Sequence, residues 1–80
     1  MYETINTTVA KYGWTVTEQD EHTFMLFNRN ARKVAIVHLK PRNSYMIEDT
    51  YGNKLLTGKG KLESSIEKLL TTYFYASLIY

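Results

Sequence analysis

The apolar positions of this chain change their spacing along its length, and each change marks an element. Tyr2, Ile5, Val9 and Tyr12 stand at i, i+3, i+7 and i+10, one face of a short amphipathic helix. Gly13 follows at the place where a left-handed residue commonly closes a helix. Asn6 and the threonines give this segment poor intrinsic propensity, so packing must hold it. From Trp14 to Thr17 apolar and polar residues alternate, which predicts a first strand, and the polar run Glu18-Gln19-Asp20-Glu21 reads as a turn. Thr23 to Phe27, rich in bulky residues, predicts a second strand. Asn28-Arg29-Asn30-Ala31 predicts the next turn, because asparagine tolerates positive φ. From Lys33 to Leu39 the residues after the lysine are apolar on both faces, the pattern of a buried central strand. Pro41-Arg42-Asn43 breaks it, Tyr45 to Glu48 reads as a fourth strand, and Tyr51-Gly52-Asn53 as another turn. Lys54 to Thr57 is open between a short fifth strand and an extended approach to the next helix.

The clearest helix comes last. Leu62, Ile66, Leu69, Leu70, Tyr73 and Phe74 follow i, i+4, i+7, i+8, i+11 and i+12, a core-facing stripe. Gly60 as N-cap with Glu63 three residues on fits its start. Beyond Tyr73 only Ser77 is polar, so an apolar girdle that includes Phe74, Tyr75, Leu78, Ile79 and Tyr80 either covers the open end of the sheet or meets a second copy. The order α-β-β-β-β-α predicts a single α+β domain spanning 1–80, an antiparallel meander with both helices packed on one face. If Arg29-Asn30 forms a hairpin tip, Met25 faces Val34 and Phe24 faces Ala35. Both faces of the sheet are then apolar at their centre, and the face without helices needs cover from its own tyrosines, a partner or a second copy.

Charge alters this picture more than composition does. Eight of the ten basic residues lie between Arg29 and Lys61 with two acids, Glu48 and Asp49, so this middle segment carries +6. Residues 1–28 carry −3 and residues 62–80 carry −1, and the net +2 of the whole chain conceals the segregation. A one-sided basic field predicts a polyanionic or acidic partner. A chain of 80 residues hides only about 60% of the surface its unfolded form exposes, so stability is expected to be modest and a second copy would add to it. With no cysteine, disulfides, thiolate catalysis and cysteine-based zinc sites are excluded, in keeping with a reducing compartment. No basic start with a long apolar run suggests a signal peptide, and no apolar run approaches the ~20 residues of a membrane span. The expectation is a small cytoplasmic protein.

The candidate chemistry is binding. Lys59 and Lys61 border Gly60 at the start of the last helix, where the helix dipole disfavours cations and a phosphate would relieve them; a solvated loop is the plain alternative. The spacing from Gly52 to Gly58 is one residue too long for a Walker A loop, and Gly60 stands where Ser or Thr should hold magnesium. Arg29, Arg32 and Lys33 cluster at one end of the central strand and Lys40 and Arg42 at the other, with Lys54 nearby in sequence at the next turn. They are read either as phosphate contacts or as charges that keep sheet edges from pairing. One tract of nucleic acid reaches both ends only if the tips and Lys59 share a side. His22 lies in an acidic turn, and His38 alternates with Val34 and Ile36; two histidines without a matched carboxylate pair make a poor metal site, and no activated nucleophile is evident. No metal, cofactor or catalytic residue is expected.

Two resemblances bear on function. The helix–strands–helix order with Gly58-Lys59-Gly60-Lys61-Leu62-Glu63-Ser64 before the last helix resembles the double-stranded-RNA-binding domain, in which a lysine cluster at that helix grips phosphates. Lys59 and Lys61 match in kind; Leu62 and Glu63 stand where that family has further lysines. In style, a short cysteine-free chain rich in Tyr, Asn, Thr and Lys resembles the accessory early proteins of large tailed phages. That resemblance implies an anti-defence role against a host nuclease or toxin. Together these lead to a non-enzymatic protein that binds RNA or a ribonucleoprotein, with a host defence protein held by the open sheet face and the aromatic C-terminus, without nucleic acid, as the alternative, and a homodimer as a further possibility.

Overall fold

The computed structural model describes residues 1–72 and residue 74, and shows helix α1 (Tyr2–Ala10), strands β1 (Thr15–Asp20), β2 (Thr23–Phe27), β3 (Lys33–Lys40), β4 (Ser44–Asp49) and β5 (Lys54–Lys59), and helix α2 (Leu62–Thr72). The strands form one sheet in chain order, every neighbouring pair antiparallel. Lys54–Lys59 is thus a full fifth strand. One side of the pleat contributes Val16, Phe24, Leu26, Ala35, Val37, Tyr45 and Ile47, all buried. Both helices lie on that side and add Ile5, Val9, Leu62, Ile66, Leu69 and Leu70 to a single core. α1 rests against β1 and α2, and α2 rests against β5, so the helices cover the sheet from both flanks.

Local chemistry explains the boundaries. α1 ends in a Schellman motif: the Trp14 N–H donates to the Val9 carbonyl (3.1 Å) and the Gly13 N–H to that of Ala10 (3.0 Å). Gly13 supplies the positive φ of 77° that this closure needs. Trp14 is buried and packs tilted on Phe74, with ring centroids 5.6 Å apart, and its indole Nε1 has no hydrogen-bond partner. Phe74, expected at an oligomer contact, therefore packs within the chain; Tyr75, Leu78, Ile79 and Tyr80 lie outside the described residues. The two helices are also joined at the surface by an ion pair between Lys11 and Glu67 (2.8 Å).

Three local expectations change. The run Glu18-Gln19-Asp20 is the end of β1, bulged between Glu18 and Asp20, and the turn is moved to Glu21 and His22. Asp20 caps that turn by accepting the His22 N–H at 2.8 Å. The second hairpin pairs Met25 with Ile36 and Phe24 with Val37, two residues away from the expected register. The cause is a longer loop. Asn28 bridges it, its side-chain oxygen accepting the Asn30 and Arg32 N–H groups (2.9 and 3.1 Å) while its own N–H donates to the Arg32 carbonyl, and Ala31 takes φ 60°. Finally, the Lys61 carbonyl accepts the Ser64 and Ser65 N–H groups (3.1 and 3.2 Å), so Lys61 rather than Gly60 occupies the cap of α2, at φ 49°.

Candidate nucleic-acid interface

A meander places alternate turns at opposite ends of the sheet, and this divides the eight candidate cations. Arg29, Arg32 and Lys33 lie at the β2–β3 end with Lys54 at the start of β5. Lys40, Arg42, Lys59 and Lys61 lie at the other end. Across β3 the two groups are about 23 Å apart at about 3.3 Å per residue. They do not form a single cluster.

The register reunites four of them. Alternation puts one side of each strand into the core and the other on the face without helices. On that open face Lys40, Ser44 and Lys59 form one cross-strand row, so the two lysines flank Ser44 about 10 Å apart. In the next rows His38 stands beside Met46 and Thr57, and Ile36 beside Met25 and Glu48. At the far end Lys54 is opposite Glu48 and Lys33 opposite Phe27. The open face thus has lysines at both ends and a floor of Met25, Ile36 and Met46, each half-buried by its neighbours. Lys40, Ser44, Met46, Lys54, Thr57 and Lys59 line one shallow groove along β4 and β5, which joins the two ends. Arg42 stands in the β3–β4 turn and Lys61 beyond β5. The aliphatic stem of Arg29 lies against Gly13, just beyond the end of α1.

Electrostatics favour an anion here. Among the described residues Lys11 pairs with Glu67 and His38 is hydrogen-bonded to Glu48, so Lys40, Arg42, Lys54, Lys59 and Lys61 are not matched to carboxylates. Glu48 is the acid opposite Lys54 on this face, and its Oε1 is held 2.9 Å from Nε2 of His38. Two other carboxylates are engaged in turns. Backbone N–H donation from His22, first, holds Asp20 below the usual carboxylate range. Partial burial pushes Asp49 up, but the side chain and N–H of Asn53 together with the N–H groups of Tyr51 and Gly52 outweigh it and leave the group lowered.

The end of the sheet that carries Lys40 and Lys59 is rigidly built. The Tyr45 ring lies over Gly58, its cross-strand partner, and its hydroxyl donates to the Gly60 carbonyl (2.8 Å) and lies within hydrogen-bonding distance of Ser65 Oγ. The Gly60 N–H in turn donates to the Asn43 carbonyl (2.8 Å), tying the β5–α2 junction to the β3–β4 turn. Arg42 and Asn43 both take positive φ, 61° and 62°, as does Lys61. Two of the cations are therefore held in a backbone conformation where glycine would be unstrained.

For other chemistry the arrangement supplies little. Among the described residues no group of three or more His, Asp or Glu side chains is placed to hold a metal ion. His22 lies in the β1–β2 turn and His38 on β3, and no described serine or threonine hydroxyl is hydrogen-bonded to either ring. Among the described residues no helix is long and apolar enough to cross a membrane. Ser44, Met46 and Thr57, which line the groove, were not singled out from the sequence; their signal is alternation with Tyr45, Ile47 and Gly58, readable only once the register is known.

Fold and face together describe a small α+β domain with one covered and one lysine-framed sheet surface. No protein-family model, no curated protein and no solved structure matches this chain.

Proposed function

We propose that this is a non-enzymatic binding protein whose open sheet face takes an unpaired strand of RNA, alone or within a ribonucleoprotein. The observation that carries this reading is the placement of Lys40, Lys54 and Lys59 along one groove without carboxylate partners, beside an apolar floor. Phosphates of a strand crossing the face meet the lysines, which set affinity and not sequence preference. The floor favours a single strand over a duplex. Unpaired bases have faces to bury against Met25, Ile36, Met46 and Phe27, whereas a duplex offers mainly phosphates and would leave those side chains wet. Arg42 and Lys61 extend the basic surface round the end of the sheet. In this reading the protein acts against a host nuclease or an RNA-associated toxin in the host cytoplasm, a role suggested by the compositional resemblance to accessory phage proteins.

The test is binding of oligoribonucleotides at several salt concentrations. Retention that weakens steeply with salt, and that falls in Lys40→Gln/Lys59→Gln protein of unchanged fold, supports the reading. Absence of any RNA or DNA retention at low salt rejects it.

The half-buried apolar floor also favours a second reading, in which the same face docks on a host protein without nucleic acid. Binding is then one-to-one, nearly insensitive to salt, and survives nuclease treatment in a pull-down from host cytoplasm.

A further inference from the structure

Lys40, Ser44 and Tyr45 line two depressions. One is the groove on the open face; the other is a cleft of ≈ 330 Å³ round the end of the sheet, toward Lys61 and Leu62. The groove therefore continues into the cleft over the Lys40–Ser44 ridge. We propose that the cleft receives the terminal nucleotide of a strand whose preceding phosphates lie along the groove. This inference rests on the RNA reading of the open face and adds to it the recognition of a strand end.

Shape, chemistry and rigidity agree. The cleft lies at the small end of the range for ligand pockets, about 300–1,000 Å³, which suits one nucleotide and not a longer segment. Lys40 and Lys61 stand on its walls and supply charge for one phosphate, while Leu39, Leu62 and Met1 give the base an apolar surface. Glu63 is the carboxylate on the wall. It disfavours a triphosphate inside the cleft and leaves the single phosphate to the lysine side. The walls are braced before any ligand arrives. The Leu39 N–H donates to the His22 carbonyl (2.7 Å), the Gly60 N–H to that of Asn43 (2.8 Å), and the Tyr45 hydroxyl to that of Gly60 (2.8 Å). A preformed site of this kind binds without a large ordering cost. An internal nucleotide would have to enter and leave the cleft with its chain, whereas a terminal one enters once.

The experiment compares a linear oligoribonucleotide with the same sequence closed into a circle, using the full chain. The expected result is at least tenfold tighter binding of the linear form. Lys61→Gln should remove most of that advantage, weakening the linear form several-fold more than the circle, which is held mainly by the open-face lysines. In an NMR titration, adenosine 5′-monophosphate should shift the amides of Leu39, Lys61 and Leu62 and leave those of Arg32 and Lys54 in place. Equal affinity for circle and line overturns the cleft inference and leaves the open-face reading standing. Failure to retain either form overturns the open-face reading, and the cleft inference with it. Shifts from the mononucleotide that map away from the cleft also overturn the inference.

Discussion

The two faces of this sheet are made from the same five strands, yet they behave as different materials. The covered face presents Val16, Phe24, Leu26, Ala35, Val37, Tyr45 and Ile47, all buried and all packed against α1 and α2. The open face presents Met25, Ile36, His38 and Met46 at its centre, half-buried, with Lys33, Lys40, Lys54 and Lys59 toward its ends. One residue along a strand separates the two. Burial of apolar side chains against helices stabilises the domain. The open face contributes less to stability, so its composition is freer to serve a partner.

That contrast breaks most visibly in the core. Leu26→Ala should cost about 2–5 kcal/mol, a large share of the stability of so small a domain, whereas Met46→Ala on the opposite face should cost about 1 kcal/mol. Denaturant unfolding followed by the fluorescence of Trp14, the chain's one tryptophan and a core residue, measures both. Equal losses would dissolve the distinction between the faces.

Gly58→Ala comes next. A Cβ at that position would fall 2.7 Å from the Tyr45 hydroxyl, and Tyr45 cannot swing away without losing its bonds to Gly60 and Ser65. The expected cost is about 1–3 kcal/mol, read from the same unfolding curves. A neutral result would mean that the ring does not brace the end of the sheet.

The open face should respond in the opposite sense. Lys40→Gln with Lys59→Gln should leave unfolding within about 0.5 kcal/mol of the parent. It should flatten the salt dependence of RNA binding by about 1.4 in log–log slope, at about 0.7 per lost phosphate contact. Lys61→Gly sharpens the point. With φ at 49° the substitution relieves a left-handed lysine, so stability should hold or rise by up to about 1 kcal/mol while affinity for linear RNA falls.

The smallest effect concerns pH. Asp20 and Asp49 are lowered from the ordinary 3.8 by hydrogen bonds that exist only in the folded chain. The folded state therefore binds fewer protons in this range, so the stabilisation is complete above 3.8 and is lost as pH falls through the lowered folded values. Asp49→Asn should lower stability at neutral pH, where the ionised carboxylate contributes, and reduce the slope of stability against pH on the acid side, which acid titration of the unfolding midpoint would show.

Much of the fold was legible because it depends on periodicity. The i, i+4, i+7 spacing of Leu62, Ile66 and Leu69 and the apolar run after Lys33 need no tertiary information to be read. The strand count was harder at Lys54–Lys59, where Thr57, Gly58 and Lys59 give no apolar alternation; the pairing of Ser44 with Lys59 and Ile47 with Leu56 makes it a strand. The hairpin register was missed by two residues because Asn28 builds a longer loop than Arg29-Asn30 alone suggests. A slip of two keeps every side chain on its own face, so the division into covered and open faces survived the error. The site was less legible. Eight cations close in sequence look like one patch, but a meander sends successive turns to opposite ends, and Arg29 folds over Gly13.

The sequence by itself determined the class of fold, the identity of the two helices, the basic middle and the absence of cysteine chemistry, since each follows from local spacing or composition. Only the tertiary structure decided which lysines share a surface, that Lys40 and Lys59 flank Ser44, and that groove and cleft meet at the same ridge. The reason is physical: local interactions choose helix or strand within a few residues, whereas a binding surface is set by register across strands, and register depends on loops and on packing between distant parts of the chain.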